Sequence, residues 1–175
     1  MKKSLLVLSM ILLFSAGQAQ AEVAAADGVT GEYMHEITGG ASSTLALQSG
    51  NTAFGLQAGY SYLVADGIQL TVDNAFSYLS VSSASTYTWR VLVGPTFNFP
   101  MTSDFTNAIF VNAGIGMSLA DTGSASTTNF TFGINVGKRF NLWDRVAYRP
   151  YVGVLKVAGS TSNVNLVPLA FSFAI

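Results

Sequence analysis

Residues 109–119 read Ile109-Phe110-Val111-Asn112-Ala113-Gly114-Ile115-Gly116-Met117-Ser118-Leu119. Every odd position is apolar, and all but one of the even positions are small or polar. A period of two is the side-chain period of a β-strand, whose neighbours point to opposite faces of the sheet. The polar face carries no charge here and three of its five members are Gly or Ser, a poor coat for a solvated exterior. The stretch reads as a strand whose apolar face meets something other than water.

The same alternation runs on both sides. Phe54, Leu56, Ala58, Tyr60 and Tyr62 alternate with Gly55, Gln57, Gly59 and Ser61. Ile68, Leu70, Val72, Phe76 and Tyr78 alternate with Gln69, Thr71, Asp73, Ala75 and Ser77. Tyr87, Trp89, Val91, Val93, Phe97 and Phe99 follow, then Phe130, Phe132, Ile134, Val136 and Phe140, then the run Val146 to Val157. The last run, Val164 to Ile175, puts Val167, Leu169, Phe171, Phe173 and Ile175 on one face. The apolar face is broken only by Asn74, Lys138 and Lys156, and the two lysines lie near strand ends, where a long stem snorkels to a headgroup. Clusters of Gly, Ser, Asp, Asn and Thr at 65–67, 82–85, 121–128 and 158–163 separate the strands, with 100–107 and 141–145 as further turns. Pro95, Pro150 and Pro168 fall inside predicted strands, where a missing N–H calls for a bulge.

The first strand has two readings. Val29 to Thr38 is favoured, with 39–51 as a loop. The rival starts near Ala41, runs to 49, and turns at Ser49-Gly50-Asn51, leaving 22–40 as a leader or plug.

Composition agrees with a lipid-facing sheet. Met1, Lys2 and Lys3 precede the apolar run Leu5 to Phe14, and Ala19-Gln20-Ala21 carries small residues at both positions of a signal-peptidase site. This is the layout of a secretory signal peptide over 1–21, because a spanning helix needs about 20 apolar residues. The expected mature domain is 22–175. It holds six basic residues against nine acidic ones, a net charge of −3. About a tenth of it is charged, where soluble domains carry about a quarter. No later stretch resembles a membrane helix, and a closed sheet is the other structure that satisfies every backbone group in lipid. The expectation is an all-β, transmembrane, up-and-down antiparallel barrel of eight strands in the outer membrane of a Gram-negative bacterium. Aromatic girdles are expected at both ends: Tyr60, Tyr62, Phe97, Phe99, Phe140, Trp143, Tyr148 and Phe173 at the periplasmic end, and Tyr33, Phe76, Tyr78, Tyr87, Trp89 and Phe130 outside. Cysteine is absent, which excludes disulfides and thiolate chemistry. The basic residues are not clustered, so nucleic acid is not expected as a partner.

The chain resembles the small outer-membrane barrel family that includes OmpX and the transmembrane domain of OmpA, on its alternating segments and the last strand Leu169-Ala170-Phe171-Ser172-Phe173-Ala174-Ile175. The resemblance implies that this strand is read by the barrel-assembly machinery, although the family usually ends in an aromatic residue and this chain ends in Ile175. Outer-membrane lipids and lipopolysaccharide are the expected surroundings, and a monomer the expected state.

Candidate site residues follow from polar-face parity: Glu32, Glu36, Asp73, Arg90, Arg139 and Arg149. Three acids and three bases balance, as a satisfied interior network requires. A structural envelope protein with a filled lumen is the first reading, and a narrow pore the alternative. Eight polar-face glycines (Gly55, Gly59, Gly94, Gly114, Gly116, Gly133, Gly137, Gly153) make room for the arginines or for water. The third reading, a lipid-modifying enzyme on the barrel wall, would use His35, the sole histidine. Such enzymes need a serine and an acid beside the imidazole, and the His-x-Ser spacing of the lipid A deacylases is missing because Glu36 and Ile37 follow. The expectation is no enzyme, no cofactor and no metal.

Overall fold

The computed structural model describes residues 35–42, 51–81, 84–100, 107–143, 145–160 and 162–175. The expected signal peptide, Glu32, Tyr33 and the first part of the predicted strand Val29 to Thr38 lie outside the described residues.

Among the described residues eleven strands form one antiparallel sheet: β1 His35–Ser42, β2 Asn51–Ala65, β3 Ile68–Val81, β4 Ala84–Pro100, β5 Ala108–Asp121, β6 Ser126–Lys138, β7 Phe140–Trp143, β8 Val146–Tyr148, β9 Tyr151–Val157, β10 Ser162–Val167 and β11 Leu169–Ala174. The strands from β1 to β5 each pair with the next in sequence, and β6 pairs with β9. The sheet then closes. β1 pairs with β2 on one edge and with β11 on the other, and His35 and Ile175 exchange backbone hydrogen bonds of 3.1 and 2.8 Å. One end of the closed sheet, the terminal end, therefore holds His35, Ile175 and the β2–β3 turn. The opposite, distal end holds the β3–β4 and β5–β6 connections.

Local chemistry explains these boundaries. β2 and β3 are joined by Asp66-Gly67 between the paired Ala65 and Ile68. Gly67 takes φ = 68° there, the left-handed conformation that a two-residue hairpin demands and Asp-Gly supplies. The distal connections are shorter than the sequence suggests. Ala84 and Ser85 belong to β4, and Ser126, Thr127 and Thr128 belong to β6. Thr and Ser tolerate a strand, and pairing with the preceding strand recruits them: Ser85 faces Ser80, and Thr128 faces Leu119.

β1 corrects both readings of the first strand. Residues 39–42 are strand, not loop, and His35 to Ser42 pair with Tyr62 to Gly55. A leader covering 22–40 with a strand starting near Ala41 is therefore excluded. Two small residues, Gly39 and Gly40, had disguised the strand's distal half.

The prolines behave in two ways. At Pro95 the β4–β5 register is unchanged, with Val93 facing Ile115 and Thr96 facing Asn112, and the pairs between them are skipped. No extra residue is inserted, contrary to the expected bulge. Pro150 also keeps the register, since Gly137 faces Tyr151 and Phe140 faces Tyr148 across it. Its carbonyl accepts from Lys138 N–H at 3.3 Å. Pro168 is the true bulge. Arg149 N–H bonds to the Ala170 carbonyl at 2.8 Å, while Tyr151 faces Val167. One residue, Pro150, thus opposes two, Pro168 and Leu169, and two donor-less residues meet where the ladder asks least of them.

The bulge inverts the parity of the last strand. Val164 and Leu166 point outward before it, Leu169, Phe171, Phe173 and Ile175 after it, and Val167 turns inward, buried. The expectation that Val167 shares the face of Leu169 is corrected by that one-residue shift.

Burial is inverted relative to a water-soluble sheet. Ile37, Leu56, Val93, Phe97, Ile115, Met117, Phe130, Phe132, Val136 and Phe171 are all exposed, Ile115 at 61%. Ser61, Thr71, Thr96, Asn98, Asn112 and Thr131 are buried. Around the outside, aromatic rings gather near both ends: Phe54, Phe76, Tyr78 and Tyr87 distally, and Phe140, Tyr148 and Phe171 toward the other end. Trp89 Nε1 donates to Asn74 Oδ1, which gives the one polar interruption of the third outward face its partner.

Candidate functional site in the lumen

The inward face of each strand delivers one or two polar side chains to a common interior. At the terminal end Glu36 of β1 and Arg139, the residue between β6 and β7, form an ion pair. Arg139 donates from Nε to Glu36 Oε1 at 2.8 Å and from Nη2 to Oε2 at 2.7 Å. Two neutral amides complete the cluster. Arg139 Nη1 donates to Asn98 Oδ1 at 2.6 Å and Nη2 to Gln69 Oε1 at 3.2 Å. Gln69 Nε2 donates in turn to Glu36 Oε2 at 3.1 Å, and Asn98 Nδ2 to Gln69 Oε1 at 3.2 Å. All four residues are buried. A paired, two-pronged guanidinium–carboxylate contact is the geometry in which a buried charge pair offsets its desolvation.

A second layer crosses the interior above this stopper. Ser61 bonds Thr71 at 2.9 Å, Thr71 bonds Thr96 at 2.7 Å, Asn112 Nδ2 donates to Thr96 Oγ1 at 2.9 Å, and Asn135 Nδ2 donates to Asn112 Oδ1 at 3.1 Å. Five consecutive strands, β2 to β6, each contribute one member. Small hydroxyls and amides are the only groups that both fit a narrow interior and pass a hydrogen bond sideways.

The remaining predicted residues sit in a third layer. Asp73, Arg90 and Arg149 line one cavity with Gln57, Asn135 and Tyr151. Tyr151 Oη bonds Gln57 Oε1 across it. The Arg149 guanidinium lies over the Phe110 ring at 4.1 Å, and that of Arg139 over the same ring at 5.0 Å. The structure therefore brings five of the six predicted residues inside but joins only Glu36 and Arg139 as an ion pair. The expected three-against-three balance is not obtained among the described residues, which hold two acids and three arginines in the interior, with Glu32 outside the description.

Sequence reasoning missed the neutral partners. Gln69, Asn98, Asn112 and Asn135 were visible as polar-face residues, but nothing in the sequence says which amide meets which charge. It also missed the apolar lining: Leu92, Phe110, Leu155 and Val167 are all buried in the interior. The signal for Phe110 was its place on the polar parity of residues 109–119. The glycines serve these residues more than the arginines. A Cβ at Gly137 would meet Phe110 and Tyr151, one at Gly133 would meet Leu92 and Leu155, one at Gly59 Thr38 and Asp73, and one at Gly153 Asn135.

His35 lies at the terminal rim with Nδ1 2.6 Å from Tyr60 Oη, its ring against Tyr60 and Tyr62. Among the described residues no group of three His, Cys, Asp or Glu side chains gathers at one point.

The structure matches solved proteins at low sequence identity. Neisserial surface protein A (NspA) aligns with a TM-score of 0.60 and 14% identity, over 82% of this chain and 96% of that one. The N-terminal β-barrel domain of OprF from Pseudomonas aeruginosa gives 0.57 and 9%, over 82% and 98%. The outer membrane protein OprG from the same organism gives 0.56 and 12%, over 81% and 95%. The chain has the fold of a small outer-membrane β-barrel. No protein-family model and no curated protein matches the sequence. The outer membrane expected from the sequence is the compartment of this barrel fold, and the exposed apolar belt is the surface that lipid requires of a barrel.

Proposed function

We propose that the protein is a structural barrel of the Gram-negative envelope whose lumen is stopped at the periplasmic end. The observation that carries this is the Glu36–Arg139–Gln69–Asn98 cluster, buried and bonded across β1, β3, β4 and the β6–β7 junction. Counting β6 with β7, β8 with β9 and β10 with β11 as single passes gives eight crossings, an even number with both chain ends in the periplasm. The unbroken register across Arg139 and Pro150 supports that count. An eight-stranded barrel leaves an interior that side chains fill. In this reading residues 1–21 are removed on export, the last strand is recognised by the barrel-assembly machinery, and the mature monomer sits among lipids and lipopolysaccharide without catalysing a reaction.

Two measurements test it. Purified protein refolded in detergent is expected to run at different apparent sizes before and after boiling, whereas a protein that is soluble and salt-extractable without detergent refutes the barrel reading. In planar bilayers no stable open level is expected at modest voltage, and a stable one refutes the stopper.

A further inference from the structure

Buried charge has to be paired, and among the described residues the lumen leaves one charge over. Glu36 neutralises Arg139 directly, with both side chains about as buried as a core leucine: 2% and 1% exposed. Among the described residues Asp73 is the one acid that lines the cavity with Arg90 and Arg149, so these three carry a net charge of +1 with Asp73 ionised. Among the described residues no carboxylate lies within ion-pair distance of either guanidinium there, and Arg149 Nε is the one buried side-chain polar atom with no hydrogen-bond partner. The Arg149 guanidinium carbon lies 4.1 Å from the centre of the Phe110 ring, and the Nε edge of the group is the one left without a partner.

That edge lies in a built cavity. About 30 Å³ of space is bounded by Arg149, Arg90, Asp73, Asn135, Gln57 and Tyr151. By the measure in which one water needs about 10–15 Å³, this is room for a body of about two or three water volumes. A second cavity of about 110 Å³ shares Arg90, Gln57, Asn135 and Tyr151 and extends past Ser77, Thr88 and Asn165. Ser77 and Thr88 face each other toward the distal ends of β3 and β4. The two cavities share Gln57, Arg90, Asn135 and Tyr151, and the second reaches toward the distal ends of β3 and β4.

We infer that the mid-lumen cavity binds a small monovalent anion of halide size, held between Arg149 and Arg90. The guanidinium N–H groups supply the charge, while the second Nδ2–H of Asn135, the first being given to Asn112, adds a neutral donor and Asp73 opposes. The 30 Å³ cavity at Arg149 admits an anion of that size, while a larger anion is confined to the 110 Å³ cavity that Arg90 also lines. The inference rests on the reading of the lumen as stoppered, and conductance tests that reading separately: a conducting barrel that still binds halide loses the stopper and keeps the site.

The test uses the full chain refolded in detergent micelles. Its urea midpoint is measured in sodium bromide and in sodium gluconate, whose anion is too large for the cavity, at equal ionic strength. A ligand that binds only the folded state raises the midpoint saturably. Bromide is expected to do so and gluconate not. Arg149→Met and Arg90→Met, which remove charge while keeping length, are each expected to weaken bromide at least about tenfold, and Asp73→Asn to strengthen it several-fold, as Coulomb terms in a low-dielectric interior predict. Bromide-soaked crystals of the unmodified protein are expected to show an anomalous peak between the two arginines, which decides the matter even if the variants do not fold. Equal effects of the two salts, an undiminished bromide effect in Arg149→Met, or the absence of that peak overturns the inference and leaves a cavity filled by water.

Discussion

Replacing Arg139 by alanine removes four hydrogen bonds of 2.6–3.2 Å and, among the described residues, the one ion-pair partner of a carboxylate that is 2% exposed. Glu36 keeps the Gln69 amide at 3.1 Å. Deleting one member of a buried pair costs about 3–5 kcal/mol, because the other is left charged and dry. That is roughly two to four powers of ten in the unfolding equilibrium at about 1.4 kcal/mol per decade. The assay is reversible urea unfolding of the micelle-refolded protein, followed by the fluorescence of Trp89 and Trp143. Arg139→Met alone is expected to fall in the same range. Glu36→Leu combined with Arg139→Met is expected to recover most of the loss, since an apolar pair of similar volume leaves no charge to solvate, and the cycle is expected to show a coupling of about 2 kcal/mol or more. A change below about 0.5 kcal/mol in Arg139→Ala, the size of an ordinary surface substitution, or additive single effects, refutes the view that this pair anchors the lumen.

Three further outcomes follow from the two faces and the bulge. Ile115→Arg places a charge on the 61% exposed outer face and is expected to cost about 2–4 kcal/mol if that position lies near the bilayer midplane; an unchanged urea midpoint in lipid vesicles contradicts the lipid-facing assignment. Gly137→Ala sets a methyl against Phe110 and Tyr151 and is expected to cost about 1–3 kcal/mol by overpacking, seen as a lower midpoint in the same titration. Deleting Pro168 removes the extra residue and places Leu169 directly after Val167, so Val164 and Leu166 as well as Leu169, Phe171 and Phe173 keep their outward faces in one continuous alternation. That variant is expected to retain the heat-shifted gel band of the folded form, and a lost band refutes the bulge.

The sequence by itself determined the sheet and its two faces. Alternation over 51–81, 84–100, 108–121 and 126–138 is a local property, since each residue's face depends only on its neighbours' backbone, and poverty of charge says what that face meets. The same parity placed Glu36, Asp73, Arg90, Arg139 and Arg149 inside. It failed where a single residue resets the count, so Val167 was put on the wrong face. It also failed where glycine carries no face, so Gly39 and Gly40 hid half of β1. Partnership was out of reach of local pattern altogether. Glu36 and Arg139 are 103 positions apart, and they meet because the last strand closes onto the first in one register. Only that closure decides that Arg139 finds a carboxylate while Arg149 and Arg90, on the same parity and of the same chemistry, are left facing a cavity.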